Sequence, residues 1–174
     1  MQIKVFNEYS ITKFLTDKKH IVISVRSPKA QAVKLPVQES RLNALFLDFH
    51  DIDERAFNIS DRLNCKTCDG SGFVPEWKHI ENGRCFECNR EGMNLKLFSK
   101  QDALKILIFA GIYHDAEIIA VNCEAGISRS SAIAGALNKI YNGSDEYYFK
   151  HYCPNMLVYR KIVETYYEMQ NNKS

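Results

Sequence analysis

EIIAVNCEAGISRSSAIAGALNKIY, residues 117 to 141, carries three signals in one line. EIIAVN (117–122) is a continuous apolar run of strand length, the pattern of a strand covered on both faces. SRSSAIAGALNKIY (128–141) is a helix whose alanines allow close packing. Between them a short loop holds one thiol, Cys123, and one glycine, Gly126. Strand, loop and helix in this order form part of a parallel βαβ unit. Working outward, IKVF (3–6), HIVISV (20–25) and LNALFLDF (42–49) are further short strands, rich in β-branched and aromatic residues. NEYSITKFLTDKK predicts a short helix with Ile11, Phe14 and Leu15 on one face. SPKAQAVKLPVQES has two prolines and no period, and predicts a loop. SKQDALKILIFAGIY opens with Ser99 at an N-cap position and Asp102 three residues on, a weaker form of the capping box. Its expected apolar stripe is Leu104, Leu107, Ile108 and Ile112. SDEYYFKHY and NMLVYRKIVETYYEMQ close the chain as helices. The pattern is α/β, with a central, mostly parallel sheet flanked by helices.

The loop of the opening stretch has a chemistry of its own. Ligands of open parallel sheets bind beyond the carboxyl ends of the strands, where Cys123 stands. Glu124, Ala125, Gly126, Ile127 and Ser128 lead into a helix whose first turn has unsatisfied N–H groups, a ready anion site. A thiol in that positive field and near a guanidinium is shifted toward its thiolate, the nucleophilic form. Gly126 lets the loop curl so that successive N–H groups form a nest. Arg129 can hold two oxygens of a phosphate bidentately, which lysine cannot. Ser130 offers its hydroxyl to the sulfur. Covalent phosphoryl transfer needs this combination.

The totals agree with one soluble domain. The chain has 174 residues, of which 45% are hydrophobic and 25% charged, with a net charge of +2. That charge gives no footprint for nucleic acid or an anionic membrane surface. No run reaches the roughly 20 apolar residues of a membrane span. The start, MQIKVFNEYS, lacks a signal-peptide profile, and the expected compartment is the cytoplasm.

Six cysteines sort by spacing. Cys65 with Cys68, and Cys85 with Cys88, form two CxxC units with sixteen residues between Cys68 and Cys85. In a chain without an export signal such pairs favour metal over disulfides, and this spacing closes a four-thiolate tetrahedron. One structural zinc ion is expected there, with no part in catalysis. From 57 to 97 periodicity is weak and four of the eight glycines occur. We therefore expect a single domain over 1–174, interrupted by a small, zinc-ribbon-like insertion at 57–97 whose ordering comes from the metal. Cys153, alone in HYCPNM, is expected as a small buried hydrophobe. Trp77 is expected to pack under the zinc loops.

NCEAGISRS resembles the HCxxGxxRS signature of the cysteine-dependent tyrosine and dual-specificity protein phosphatases. VISVRSP, LDFHDIDE and YCPNMLVYRKI resemble a compact bacterial and phage branch of that family, so the likeness covers most of the chain outside 57–97. It implies a phosphocysteine intermediate on Cys123, phosphate held by residues 124–129, and no catalytic metal. It also implies a general acid, an aspartate about thirty residues before the nucleophile. Asp51 precedes Cys123 by 72 positions, but by only about 32 once the roughly 40-residue cysteine-rich stretch is set aside. Asp51 is the first choice as acid and Asp53 the second. Asp48 is expected to be a strand residue facing solvent. Asn122 stands where the family has histidine. It can brace the loop but cannot carry positive charge, which leaves a less acidic thiol.

The expected substrate is a phosphorylated protein, on tyrosine and also on serine or threonine. The loop interior contains no lysine, which disfavours phosphoinositides. Alternatives that stay open are an RNA 5′-phosphatase using the same loop, a phosphate-binding interaction module without turnover, and a rhodanese- or arsenate-reductase-like thiol enzyme. Ser130 and the spacing of Asp51 favour the phosphatase.

Overall fold

The computed structural model describes residues 1–28, 30–53, 65–88, 92 and 95–172. The chain forms two compact units: Met1–Asp53 with Phe98–Ser174, and Glu54–Leu97.

The first unit is built on four strands, β1 (Gln2–Asn7), β2 (His20–Arg26), β3 (Arg41–Asp48) and β4 (Ile118–Cys123). All neighbours are parallel and the order is β1-β4-β2-β3. The two central strands, β4 and β2, are buried almost throughout, whereas the edge strands β1 and β3 are only partly covered. This matches their sequences, because only a strand covered on both faces needs a continuous apolar run.

Two-residue periodicity splits the sheet's side chains between two cores. Ile21, Ile23, Val25, Ile119, Val121 and Cys123 join the larger one, together with Ile133, Leu137, Val158 and Ile162. Val22 and Ala120 face the other, with Ile11, Phe6 and Phe14. Among the described residues the α-helices are α1 (Glu8–Ile11), α2 (Lys100–Ile112), α3 (Arg129–Asn142), α4 (Glu146–His151) and α5 (Met156–Asn171). Among the described residues, none is long and apolar enough to cross a membrane.

Three sequence expectations are corrected. The stripe of α2 is Ala103, Ile106, Leu107 and Ala110; Ile108 and Ile112 are 52% and 63% exposed. The helix is apolar on nearly every side, so periodicity could not choose its inner face, and the alanines mark where it approaches its neighbours. The first helix ends at Ile11, so of the expected face only Ile11 and Phe14 pack, while Leu15 is 69% exposed. Cys153 is exposed, because it lies in the turn between α4 and α5. The cap of α2 is complete: Ser99 Oγ accepts the Asp102 N–H, and Asp102 accepts from the Ser99 N–H at 3.1 Å and Oγ at 2.6 Å.

In the second unit two single-turn 3-10 helices, Pro75–Trp77 and Glu81–Gly83, lie between the CxxC pairs. An antiparallel bridge joins Phe73 to Arg84, and the Val74 N–H donates to the Gly83 carbonyl at 2.8 Å.

Candidate active site

The alternation along β4 turns Cys123 toward α3, where it is 2% exposed. Its Sγ lies 3.1 Å from the hydroxyl of Ser130, which is fully buried in the first turn of α3. The loop between them follows the anion-site pattern closely. Gly126 has φ +70, and a Cβ there would sit 2.7 Å from the Asn7 nitrogen and 2.9 Å from the Phe6 carbonyl. Only glycine allows the loop to lie so close on the end of β1. A second tie is the Glu8 N–H, which donates to the Glu124 carbonyl at 3.2 Å. Ser128, the N-cap of α3, does not cap with its side chain. Among the described residues no protein acceptor takes the N–H groups of Ala125, Gly126, Ile127 or Ser128. These donors, with those of the helix's first turn, are left for solvent or a bound anion.

Arg129 is 3% exposed and almost fully committed. Nη1 donates to the Phe49 carbonyl at 2.9 Å and to Ser27 Oγ at 3.2 Å, and Nη2 donates to Glu124 Oε2 at 2.9 Å. A guanidinium has five N–H donors, so two remain, one on Nη2 and the one on Nε. Nε is buried without a hydrogen-bond partner. A buried donor left unpaired is costly, of order 1–3 kcal/mol, and an oxyanion is the natural partner for a guanidinium fork.

Asp51 comes to the same place from the end of β3. Its Oδ1 accepts from Ser128 Oγ at 2.7 Å and from Asn155 Nδ2 at 2.9 Å, and its Oδ2 lies 3.9 Å from Arg129 Nε. Asp53 takes another position, accepting the Met156 N–H at the start of α5 at 3.1 Å. The structure thus brings Asp51 beside Arg129 and Ser128, while Asp53 serves a helix terminus.

Asn155 is a site residue that motif reading did not single out. It is 5% exposed and does three things. Its N–H donates to the Ser128 carbonyl at 3.2 Å, its Oδ1 accepts the Val158 N–H at 3.1 Å as the N-cap of α5, and its Nδ2 holds Asp51. Asn before the last apolar helix signals an N-cap, but nothing local signals a contact 104 positions away.

Asn122 faces the opposite side of the sheet from Cys123. It is 1% exposed, and its Oδ1 is without a hydrogen-bond partner. The expected brace from this amide to the loop is absent among the described residues. The loop is held by Gly126, Glu124 and Arg129 instead.

Glu124 is the loop's one carboxylate, 43% exposed. Burial pushes its pKa up, but hydrogen bonds from Ser27 and the charge of Arg129 outweigh this and hold it below the ordinary carboxylate value. The Ser27 N–H approaches its other oxygen, Oε1, at 3.4 Å.

In the second unit Cys65, Cys68, Cys85 and Cys88 are all buried, and their sulfurs lie within 4.8 Å of one another. Cys65 Sγ is 3.7 Å from Cys85 Sγ, and Cys68 Sγ is 3.6 Å from Cys88 Sγ. A disulfide needs about 2.05 Å. A tetrahedron with metal–sulfur bonds of about 2.3 Å has edges of about 3.8 Å, so the donor set fits a metal ion. The turns are shaped for it: Asp69, Gly70 and Gly72 have positive φ, and the Gly72 N–H donates to Cys68 Sγ at 3.2 Å. Val74 and half-buried Trp77 pack against the four cysteines. Four buried thiols cannot all ionise without a cation: burial pushes Cys88 up, whereas amides of Cys68 and Thr67 and neighbouring thiols bring Cys65 down against its own burial.

No family model and no curated protein matches the chain. Among solved structures it is similar to human tyrosine phosphatase-like serine/threonine/tyrosine-interacting protein, with 17% sequence identity and a TM-score of 0.42. That match covers 87% of this chain and 78% of the other.

Proposed function

We propose that the chain is a cysteine-dependent protein phosphatase that hydrolyses phosphotyrosine, and phosphoserine or phosphothreonine as secondary substrates, through a phosphocysteine intermediate. The observation that carries this reading is the buried guanidinium of Arg129, left with a two-donor fork beside four unpartnered loop amides, around a thiol in contact with a hydroxyl. Cys123 Sγ attacks phosphorus, and the bond to the leaving oxygen breaks. The loop amides and Arg129 hold the three equatorial oxygens as charge develops on them. Asp51 delivers a proton to the leaving oxygen, then accepts one from the water that cleaves the sulfur–phosphorus bond. Ser130 donates to the departing thiolate, and inorganic phosphate leaves. A thiol recessed below the exposed rim residues Glu124, Ala125 and Ile127 suits the long reach of an aryl phosphate.

In this reading 57–97 is an insertion in a phosphatase-like domain. Its four cysteines hold one zinc ion, whose role is to order that unit. A reducing, cytoplasmic setting keeps all six thiols available.

Activity toward p-nitrophenyl phosphate and a phosphopeptide panel tests the proposal, with Cys123→Ser, Asp51→Ala and Asp53→Ala alongside. Cys123→Ser is expected to lose at least about a thousandfold in rate, and Asp51→Ala about a hundredfold or more. Asp53→Ala is expected to lose helix stability before activity. Full activity in Cys123→Ser would rule the mechanism out. An inactive wild type that still binds phosphate would make the site a capture module.

A further inference from the structure

Glu124 and Ser27 occupy one edge of the Arg129 guanidinium. Ser27 Oγ meets Nη1 at 3.2 Å, Glu124 Oε2 meets Nη2 at 2.9 Å, and the Ser27 N–H approaches Glu124 Oε1 at 3.4 Å. Glu124 and Ser27 therefore touch each other as well as the arginine, so both lie along the end that joins Nη1 and Nη2. The Phe49 carbonyl takes Nη1 as well. What remains is the side formed by Nε and the second Nη2 hydrogen, where Nε is buried without a hydrogen bond and has Asp51 Oδ2 3.9 Å away. A side-on pair of parallel N–H groups matches two oxygens of a tetrahedral oxyanion.

We propose that Glu124, seated by Ser27, is a positioning residue that locks the end-on edge of Arg129, so that the side-on fork alone is presented to the substrate oxyanion. The idea deepens the phosphatase reading and rests on it for its kinetic part. It gives the first loop position a role for its side chain beyond its backbone amide. An arginine has several rotatable bonds, and one held by only the Phe49 carbonyl and the 3.9 Å contact with Asp51 would have to be ordered each time an anion arrived. Glu124 and Ser27 perform that ordering in advance. The carboxylate is less than half exposed and already neutralised by Arg129, so it holds the fork without repelling a bound phosphate.

The test compares Glu124→Ala, Glu124→Gln and Ser27→Ala, each in two backgrounds. In the active protein, Glu124→Ala is expected to lower kcat/KM for p-nitrophenyl phosphate by about tenfold or more, the scale of a misaligned binding group. Glu124→Gln still accepts from Arg129 and is expected to recover most of it, with Ser27→Ala between the two. In the Cys123→Ser background, which cannot turn over, calorimetric titration with inorganic phosphate and tungstate is expected to show weaker binding in Glu124→Ala and near-parental binding in Glu124→Gln. A role confined to folding would lower Tm and leave the affinity of the folded protein unchanged. That result, or tighter anion binding in Glu124→Ala, overturns the proposal. If the wild type hydrolyses nothing but its Cys123→Ser form binds anions, the phosphatase reading fails and the titrations still decide the role of Glu124. If the Cys123→Ser parent binds no anion, both fail.

Discussion

Asn155 shows how much a single buried side chain can coordinate. It caps α5, anchors the end of the 124–128 loop through Ser128, and holds Asp51. Asn155→Ser separates these duties, because serine caps a helix as well as asparagine but is too short to reach Asp51. We expect little change in Tm, with a rate on phenyl phosphate lowered about tenfold and a much smaller effect on p-nitrophenyl phosphate, whose leaving group needs no proton. Equal losses on the two esters would remove Asn155 from the proton step. Gly126→Ala meets backbone on both sides, 2.7 Å from the Asn7 nitrogen, at a φ of +70. It is expected to displace the loop and cost about a hundredfold in kcat/KM, measured beside phosphate binding. The Glu124–Arg129 pair also has a signed pH dependence. The carboxylate's folded-state pKa is depressed, so its contribution is fully present above the ordinary glutamate value and is lost as pH falls through the lower folded one. Stability measured at neutral pH therefore includes it, and an acid titration should show its loss in the wild type but not in Glu124→Gln. Of these residues, Cys123, Gly126, Arg129 and Ser130 are legible in sequence because they lie within eight positions of one another. Asn155 and Ser27 are not, because their contacts exist only after the sheet has formed.

The strands were readable because burial on two faces demands apolar runs, and β4 and β2 are such runs. The helices were readable in position but not in orientation. In α2 the Ser99 cap is visible as a motif, while the inner face is set by Ala103 and Ala110, whose small size carries no periodic signal. Ser99→Ala is expected to lower unfolding free energy by about 1–2 kcal/mol, since it removes a cap and one partner of the buried Asp102 carboxylate. Ile108→Ser, on the exposed face, should stay within about 0.5 kcal/mol. Thermal or urea unfolding of the two variants tests the assignment of faces, and the reverse ranking would refute it. The approach of Asp51 to Arg129 was foreseeable only on the premise that 57–97 is set aside, because sequence distance otherwise places Asp51 far from Cys123.

Two compact units divide the chain, and among the described residues the buried apolar cluster of the smaller consists of its four cysteines and Val74, with Trp77 packed against it. Such a segment has too little core to order itself without a metal ion. Trp77 is the only tryptophan of the chain and packs against the four cysteines. We expect chelation to shift Trp77 fluorescence to the red and release four reactive thiols, and we expect the same release on acidification, because protons compete with the metal for sulfur. Unchanged fluorescence in a protein shown to be metal-free would contradict the metal assignment. In the other unit a thiol, an arginine fork and an aspartate stand at the ends of β4, α3 and β3. The phosphocysteine proposed on Cys123 is tested by mixing the protein with p-nitrophenyl phosphate, quenching in acid within one turnover, and locating any phosphoryl group by peptide mass spectrometry. The adduct is expected on Cys123 and absent in Cys123→Ser. Turnover at the wild-type rate with no adduct on Cys123 would contradict that proposal.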